Sequence, residues 1–315
     1  MLTRRRIVVA KIESVEGTME TLVVGDAGIL AIDPKFDVDI KMHERNNQLN
    51  SLSPLQPVPG ARSAKVAFRA ELKGAGAAYS ASVKPALAPY LRACGMAETI
   101  DTTAANEKAI YLPASSGVPS LTIWVYEDGV IKRARGCRGN VNISGKLGEP
   151  MFAEFDFTGV YSGTVDGAML SPTFEATVPP VVLGNTLTLD AYAMIAESIS
   201  FDLGNALALR PSISAPDGYL SAQITDRKPV GKLDPEMVTV ATYDFFGKWL
   251  AGGTAALTLG PVGPNNVYNK YTITAPRAVY TKVGAGDRSG DQLAELDFML
   301  CRNTGDDEFR LEFIR

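Results

Sequence analysis

Hydrophobic and polar positions alternate with a period of two over much of this chain. Phe36, Val38, Ile40 and Met42 alternate with Asp37, Asp39, Lys41 and His43, and Val66, Phe68, Ala70 and Leu72 with Lys65, Ala67, Arg69 and Glu71. Successive side chains of a strand point to opposite faces, so each run predicts a strand with one dry and one wet face. The run Ser120 to Tyr126, the turn Glu127-Asp128-Gly129 and the run Val130 to Arg135 predict a hairpin, because Asp-Gly accepts the positive φ angles of a tight reverse turn. Val141 to Ser144 and Phe152 to Val160 extend it into an antiparallel meander across a Gly- and Pro-containing turn. Helical spacing is clearest from Ser82 to Cys94, where Val83, Leu87, Leu91 and Cys94 recur, Pro85 and Pro89 unsettle the start and Gly95 stands as a C-terminal stop. A shorter helix is expected around Leu189 to Ala196.

The strand pattern also repeats. Ala153-Glu154-Phe155-Asp156-Phe157 returns as Ala294-Glu295-Leu296-Asp297-Phe298, Phe36-Asp37-Val38 as Phe201-Asp202-Leu203, and Leu121-Thr122-Ile123 as Leu257-Thr258-Leu259. Recurrence in one order predicts an internal duplication. The spacing of the pairs changes along the chain from 165 to 136 to 141 residues. The first change implies a segment of about 29 residues in the first copy alone, with Gly74 to about Glu98 and its helix as the candidate; the second implies a loop about five residues longer in the second copy, near Gly284 to Gly290. The expected organisation is a first β domain over 1–165, a Pro-rich linker over 166–187 containing Pro172, Pro179, Pro180 and Gly184, and a second β domain over 188–315.

Two long irregular stretches are expected in corresponding places, each after the first strand of its copy: Glu44 to Ser63 and Arg210 to Pro235. Loops of this length in compact domains are usually functional or disordered, and recurrence in both copies favours contact with a partner. The candidate contact residues are Glu44, Arg45, Leu49, Leu52, Pro54 and Pro57 in the first stretch and Tyr219, Asp226, Arg227 and Pro229 in the second.

Composition narrows the functional classes. A chain of 315 residues, 46% hydrophobic and 21% charged, is globular and long enough for two ordinary cores. Thirty-one basic against 35 acidic residues, a net charge of −4, argues against a protein that grips nucleic acid. Cys94, Cys137 and Cys301 are odd in number and lack metal-ligand or CxxC spacing, which points to a reduced folding environment and to cysteines acting as small buried hydrophobes. The basic start at Arg4-Arg5-Arg6 is followed by an apolar run, Ile7 to Ala10, cut short by Lys11 and Glu13, so no export signal is expected. The run of ~18 apolar residues that a membrane-spanning helix needs occurs nowhere.

Catalytic chemistry has little to draw on. His43 is the single histidine, on the wet face of a strand, and reads as a surface residue rather than a triad base. Gly139 to Leu147 has the wrong glycine spacing for a phosphate loop and a leucine where a metal-binding hydroxyl should stand, so it reads as strand and turn. Asp287 and Asp291 read as a solvated hairpin tip, because the closing glutamate of a calcium loop is absent. Glu154 with Asp156 and Glu295 with Asp297 read as acidic sheet faces rather than a glycosidase pair, since Trp124 and Trp249 are the only tryptophans and form no sugar platform. No cofactor and no metal is expected.

Ile32 to Ile40 (IDPKFDVDI), Val66 to Gly74 (VAFRAELKG), Pro89 to Gly95 (PYLRACG) and the long stretch Ser120 to Tyr161 together resemble a tail tube, or major tail, protein of a siphophage-type virus with a long non-contractile tail. Thr225-Asp226-Arg227 and Asn269 to Thr281 are similar to the closing half of such proteins. The resemblance implies a mainly β fold: tail-tube-like β-sandwich or barrel domains, here two in tandem with a flanking helix in the first. It implies a structural virion protein, not an enzyme, assembled in the bacterial host cytoplasm into the tail, whose sheets join those of neighbouring copies around a channel for double-stranded DNA. Most such proteins carry one copy of the unit and form six-membered rings; the repeat here fits the two-copy type, which forms homotrimeric rings with pseudo-sixfold symmetry. Tape-measure, tail terminator and distal tail proteins are the other implied partners.

A channel wall must not trap DNA, and a basic wall would, because each phosphate contact releases counterions. Asp37, Asp39, Glu154, Asp156, Asp202, Glu295 and Asp297 are the wet-face candidates for an acidic or mixed lining. The alternatives are another tail component, such as a distal-tail or terminator ring, a capsid decoration protein, and a carbohydrate-binding β module, the last disfavoured by 8% aromatic content.

Overall fold

The computed structural model describes every residue except Met1, Thr3, Ala27 and Asn266, and 53% of the chain lies in strands against 5% in helix. The first half contains β1 (Arg6–Ile12), β2 (Ala31–His43), β3 (Val58–Glu71), α1 (Ala88–Ala93), β4 (Met96–Asp101), β5 (Lys108–Pro113), β6 (Leu121–Glu127), β7 (Val130–Lys146) and β8 (Phe152–Asp166). The second contains β9 (Leu187–Leu189), β10 (Tyr192–Ala193), β11 (Ala196–Asp202), β12 (Asn205–Pro211), β13 (Tyr219–Arg227), β14 (Val230–Pro235), α2 (Phe245–Leu250), β15 (Thr254–Val262), β16 (Lys270–Arg288), β17 (Asp291–Leu300) and β18 (Arg310–Ile314).

All but β12 and β13 belong to one antiparallel sheet system. In the first half the pairing runs β2-β3-β8-β7-β6, and in the second it runs β11-β14-β17-β16-β15. The repeated segments fall on corresponding strands: Phe36 on β2 and Phe201 on β11, Leu121 on β6 and Leu257 on β15, Ala153 on β8 and Ala294 on β17. The register agrees as well. Phe36 lies opposite Val66 and Val66 opposite Phe157, while Phe201 lies opposite Gly231 and Gly231 opposite Phe298. Both first strands bulge near their start, between Ile32 and Lys35 and between Ala196 and Ile199, and β2 bulges again between Ile40 and Met42. β7 also pairs with β11, which fuses the two paths, and β5 pairs with β18 on the other side of the core.

Alternation builds the interior. The inward residues Val66, Phe68, Phe155 and Phe157 of the first half and Phe201, Leu296 and Phe298 of the second are buried in one continuous apolar cluster. Tyr90 of α1 packs its ring on Phe68 and Phe155, with centroids 5.2 and 5.8 Å apart. The Asp128-Gly129 turn between β6 and β7 has φ angles of 41° and 105°, as the Asp-Gly pair requires.

Several sequence expectations change. The first helix spans only Ala88–Ala93: Pro89 stands in its first turn, where a missing N–H costs nothing, and Pro85 disfavours helical backbone at Lys84 upstream; Gly95 does end it, at φ 82°. Leu189 to Ala196 is not helical: Asp190 and Ala191 adopt positive φ and turn β9 into β10. The second half nevertheless has a helix, α2, between β14 and β15, capped by Asp244, which accepts from Gly247 N at 2.7 Å. In the order of elements the β4–β5 hairpin has no counterpart between α2 and β15, and the connection from β15 to β16 (263–269) is longer than that from β6 to β7 (128–129). Gly284 to Gly290 lies where β16 and β17 form a tight hairpin. Arg210 to Pro235 is mostly strand, in β13 and β14, and Val58 onward already belongs to β3.

Phe157 is fully buried and stacks on Phe155 with centroids 5.8 Å apart. Phe157→Ala should destabilise the unassembled chain by about 3–5 kcal/mol in denaturant titration, whereas Asp156→Asn on the open face next to it should change stability by less than about 0.5 kcal/mol.

Candidate assembly and channel surfaces

Directly opposed residues of an antiparallel pair share a face, so the pairing register decides which polar residues stand together. One row crosses Arg69, Glu154, Asn142 and Asp202. A second crosses Lys35, Ala67, Asp156 and Asn140, and a third Phe152, Ser144, Ser200, Lys232, Asp297 and Lys282. Asp37 lies opposite Lys65, Asp39 opposite Ser63 and Glu295 opposite Gly284. All seven sequence candidates, Asp37, Asp39, Glu154, Asp156, Asp202, Glu295 and Asp297, thus lie on one face of the fused sheet, opposite the core. Most are exposed; Asp202 and Asp297 are half-buried.

That face is mixed rather than acidic. Lys35, Lys65, Arg69, Lys146, Lys232 and Lys282 alternate with the carboxylates, and Lys282 reaches Glu295 at 3.3 Å. Asn140 donates to Asp202 at 2.7 Å. The row pattern brings lysines in because opposed strands carry opposite charges, a cross-strand pairing invisible while each strand is read alone.

The two candidate contact stretches differ in kind. β2 and β3 form a hairpin arm whose dry side stops being covered beyond Phe36: Val38, Ile40 and Met42 are 41%, 40% and 53% exposed, and Leu49 and Leu52 in the tip are open to solvent. Glu44, Arg45, Pro54 and Pro57 are exposed there too. The arm of the second half, β12–β13, instead packs on the first half. Arg138 Nη1 donates to Ala222 O at 2.6 Å, Arg135 Nη2 to Asp217 at 2.9 Å, and Asn205 Nδ2 to Cys94 O at 2.6 Å. Arg227 bonds Glu308 at 2.6 Å and Pro229 O accepts from Leu300 N within the chain, whereas Asp226, 3.6 Å from Lys228, is exposed and Tyr219 is half-buried.

The residues that clamp this arm escaped sequence reading. Glu16 receives Arg138, Arg210 and Ser221, and buried Glu13 accepts from Ser120, Thr122, Gly17 N and Gly136 N. The available signal was faint: a buried guanidinium demands an acid, but Arg135 and Arg138 stand in a strand that also carries Lys132, Arg133, Asn140 and Asn142, so nothing local marked them as buried. His43 is exposed at the end of β2. Burial pushes the Cys94 and Cys137 thiols well up, which makes them poor nucleophiles. Among the described residues no group of three or more His, Cys, Asp or Glu could hold a metal, and no helix is long and apolar enough to cross a membrane.

A chain that is mostly antiparallel sheet, with a broad polar face, a long outermost strand that among the described residues is paired along one edge alone, and an apolar arm left bare, has the form of a structural building block. Residues 3–300 match the phage tail tube protein family, and the chain belongs to that family. It is a structural component of the virion tail that self-assembles into a tube, and a DNA-delivery channel is consistent with this. No curated protein matches it.

Hydrogen bonding from Arg138, opposed by partial burial, holds the Glu16 carboxyl down from 4.5 to about 2. A depressed acid pKa contributes stability above its unfolded value that is lost as pH falls toward the folded one. Backbone hydrogen exchange in β12–β13, corrected for intrinsic rate, should therefore rise between about pH 4.5 and 2, and Glu16→Gln should flatten that dependence.

Proposed function

We propose that the chain is a duplicated tail tube subunit, with units over 1–165 and 188–315 joined by 166–187, and that three copies close into a ring of six similar units. The observation that carries this reading is the agreement of strand order, register and bulge position between β2-β3-β8-β7-β6 and β11-β14-β17-β16-β15. Rings stack into the tube, the mixed polar face lines the lumen, and the protein works without catalysis or cofactor. Assembly occurs in the bacterial host cytoplasm, with tape-measure, terminator and distal tail proteins setting its length and ends. Interleaved lysines and carboxylates suit a lumen, because each cation is paired locally and offers phosphate little net attraction, while the carboxylates keep the duplex centred.

Negative-stain microscopy of concentrated protein should show tubes whose end-on averages are threefold with pseudo-sixfold features; discrete monomers would overturn the reading. Replacing Glu154, Asp156, Glu295 and Asp297 with lysine should preserve assembly but slow DNA ejection, most at low salt, where phosphate attraction is least screened. Ejection unchanged at every salt concentration would place these residues outside the channel wall.

Deleting Leu49 to Pro57 removes the exposed tip of the β2–β3 arm and leaves the buried cluster untouched. The product should remain folded by circular dichroism yet fail to polymerise, as read by sedimentation.

A further inference from the structure

The seam between the two halves has a defined register. β11 adds to the edge of β7 with Ser200 opposite Ser144, Phe201 opposite Ile143 and Asp202 opposite Asn142. The strand equivalent to β11 is β2, which among the described residues has β3 as its one partner strand; Arg6 Nη1 donates to its Pro34 O at 2.9 Å, and from Lys35 onward no second strand pairs with it. The strand equivalent to β7 is β16: Ile143 lies opposite Ala153 and Asn142 opposite Glu154, as Ala285 lies opposite Ala294 and Gly284 opposite Glu295. β15 covers the corresponding edge of β16 only as far as Val279, so among the described residues the edge along Gly284 to Arg288 has no partner strand.

We propose that copies of this chain join by repeating that seam, the outer edge of β2 in one copy pairing with the free edge of β16 in the next. The register that carries over sets Lys35 opposite Gly286, Phe36 opposite Ala285 and Asp37 opposite Gly284. Two observations support a second copy as the occupant. Ala285 is exposed where its equivalent Ile143 is buried, so an apolar position waits for cover. The bare side of the arm, Val38, Ile40 and Met42, would then lie over the next copy's second half, as β12–β13 lies over the first half within one chain. There Arg277, exposed, stands where Arg135 holds Asp217, since Arg277 O accepts from Cys301 N as Arg135 pairs with Val160. Pro34 takes the place of Ile199 and withholds one donor, so the ladder begins at Lys35.

This inference rests on the duplicated-subunit reading, and the test separates the two. Opposed residues of an antiparallel pair have Cα atoms about 4.5–5.5 Å apart, within disulfide reach. In a Cys301→Ser background, with Cys94 and Cys137 buried, Lys35→Cys with Gly286→Cys should shift oxidised tubes from monomer to covalent dimers and trimers on non-reducing gels. Lys35→Cys with Lys282→Cys, one turn of the register away, should stay monomeric. If the first pair hinders assembly, Asp37→Cys with Gly284→Cys reads the same register. Tubes that form from these variants without in-register linkage, or that link equally out of register, overturn the seam while leaving the tube intact. A wild-type chain that forms no tubes overturns both.

Discussion

The constraint on which the structure depends is that a sheet edge cannot be left unpaired over its length. Backbone N–H and C=O groups need partners, and a long open edge invites association with any strand that meets it. Within the chain this demand is met by adding β11 to β7, which turns two five-strand paths into one sheet. Among the described residues the same demand is left standing at β2 and at the end of β16. Open edges of this kind suit a subunit that self-assembles into a tube.

The division between faces follows from the pleat. One face buries the phenylalanines of β3, β8, β11 and β17 in a cluster that spans both halves, so the halves are not energetically independent. The opposite face must then remain polar, and cross-strand pairing makes it mixed in charge, with Lys35, Lys65 and Arg69 set among Asp37, Glu154 and Asp156. In the lining role proposed for it, such a face would neither hold a polyanion by counterion release nor repel it strongly enough to bar entry.

The two arms show one pattern in two environments. β12–β13 is held by Arg135, Arg138 and Glu16, whose charges are partly withdrawn from water and gain from mutual hydrogen bonds. β2–β3 carries comparable apolar residues without cover. The difference lies in position: the arm of the second half has the first half beside it within the chain, and among the described residues the outer part of the first arm has no such cover.

The period-two alternation, the Asp-Gly hairpin, the Gly95 stop and the repeated segments were legible in the sequence because each depends on residues near one another or on the pleat itself. The shortened helix at Ala88–Ala93, the β9–β10 turn and the α2 helix were not, because prolines, positive φ at Asp190 and Ala191 and a six-residue helix leave no clear periodicity. The acidic candidates could be found singly, but their gathering on one face with interleaved lysines is a matter of register between strands far apart in sequence, 65 residues where Lys232 meets Asp297 and 60 where Asn142 meets Asp202, in one sheet with Glu154 and Lys35. Local sequence determines which side of a strand is wet. Only tertiary pairing decides which wet sides adjoin, which arm is covered and which edge is left open, because those depend on hydrogen bonds between segments that the chain brings together last.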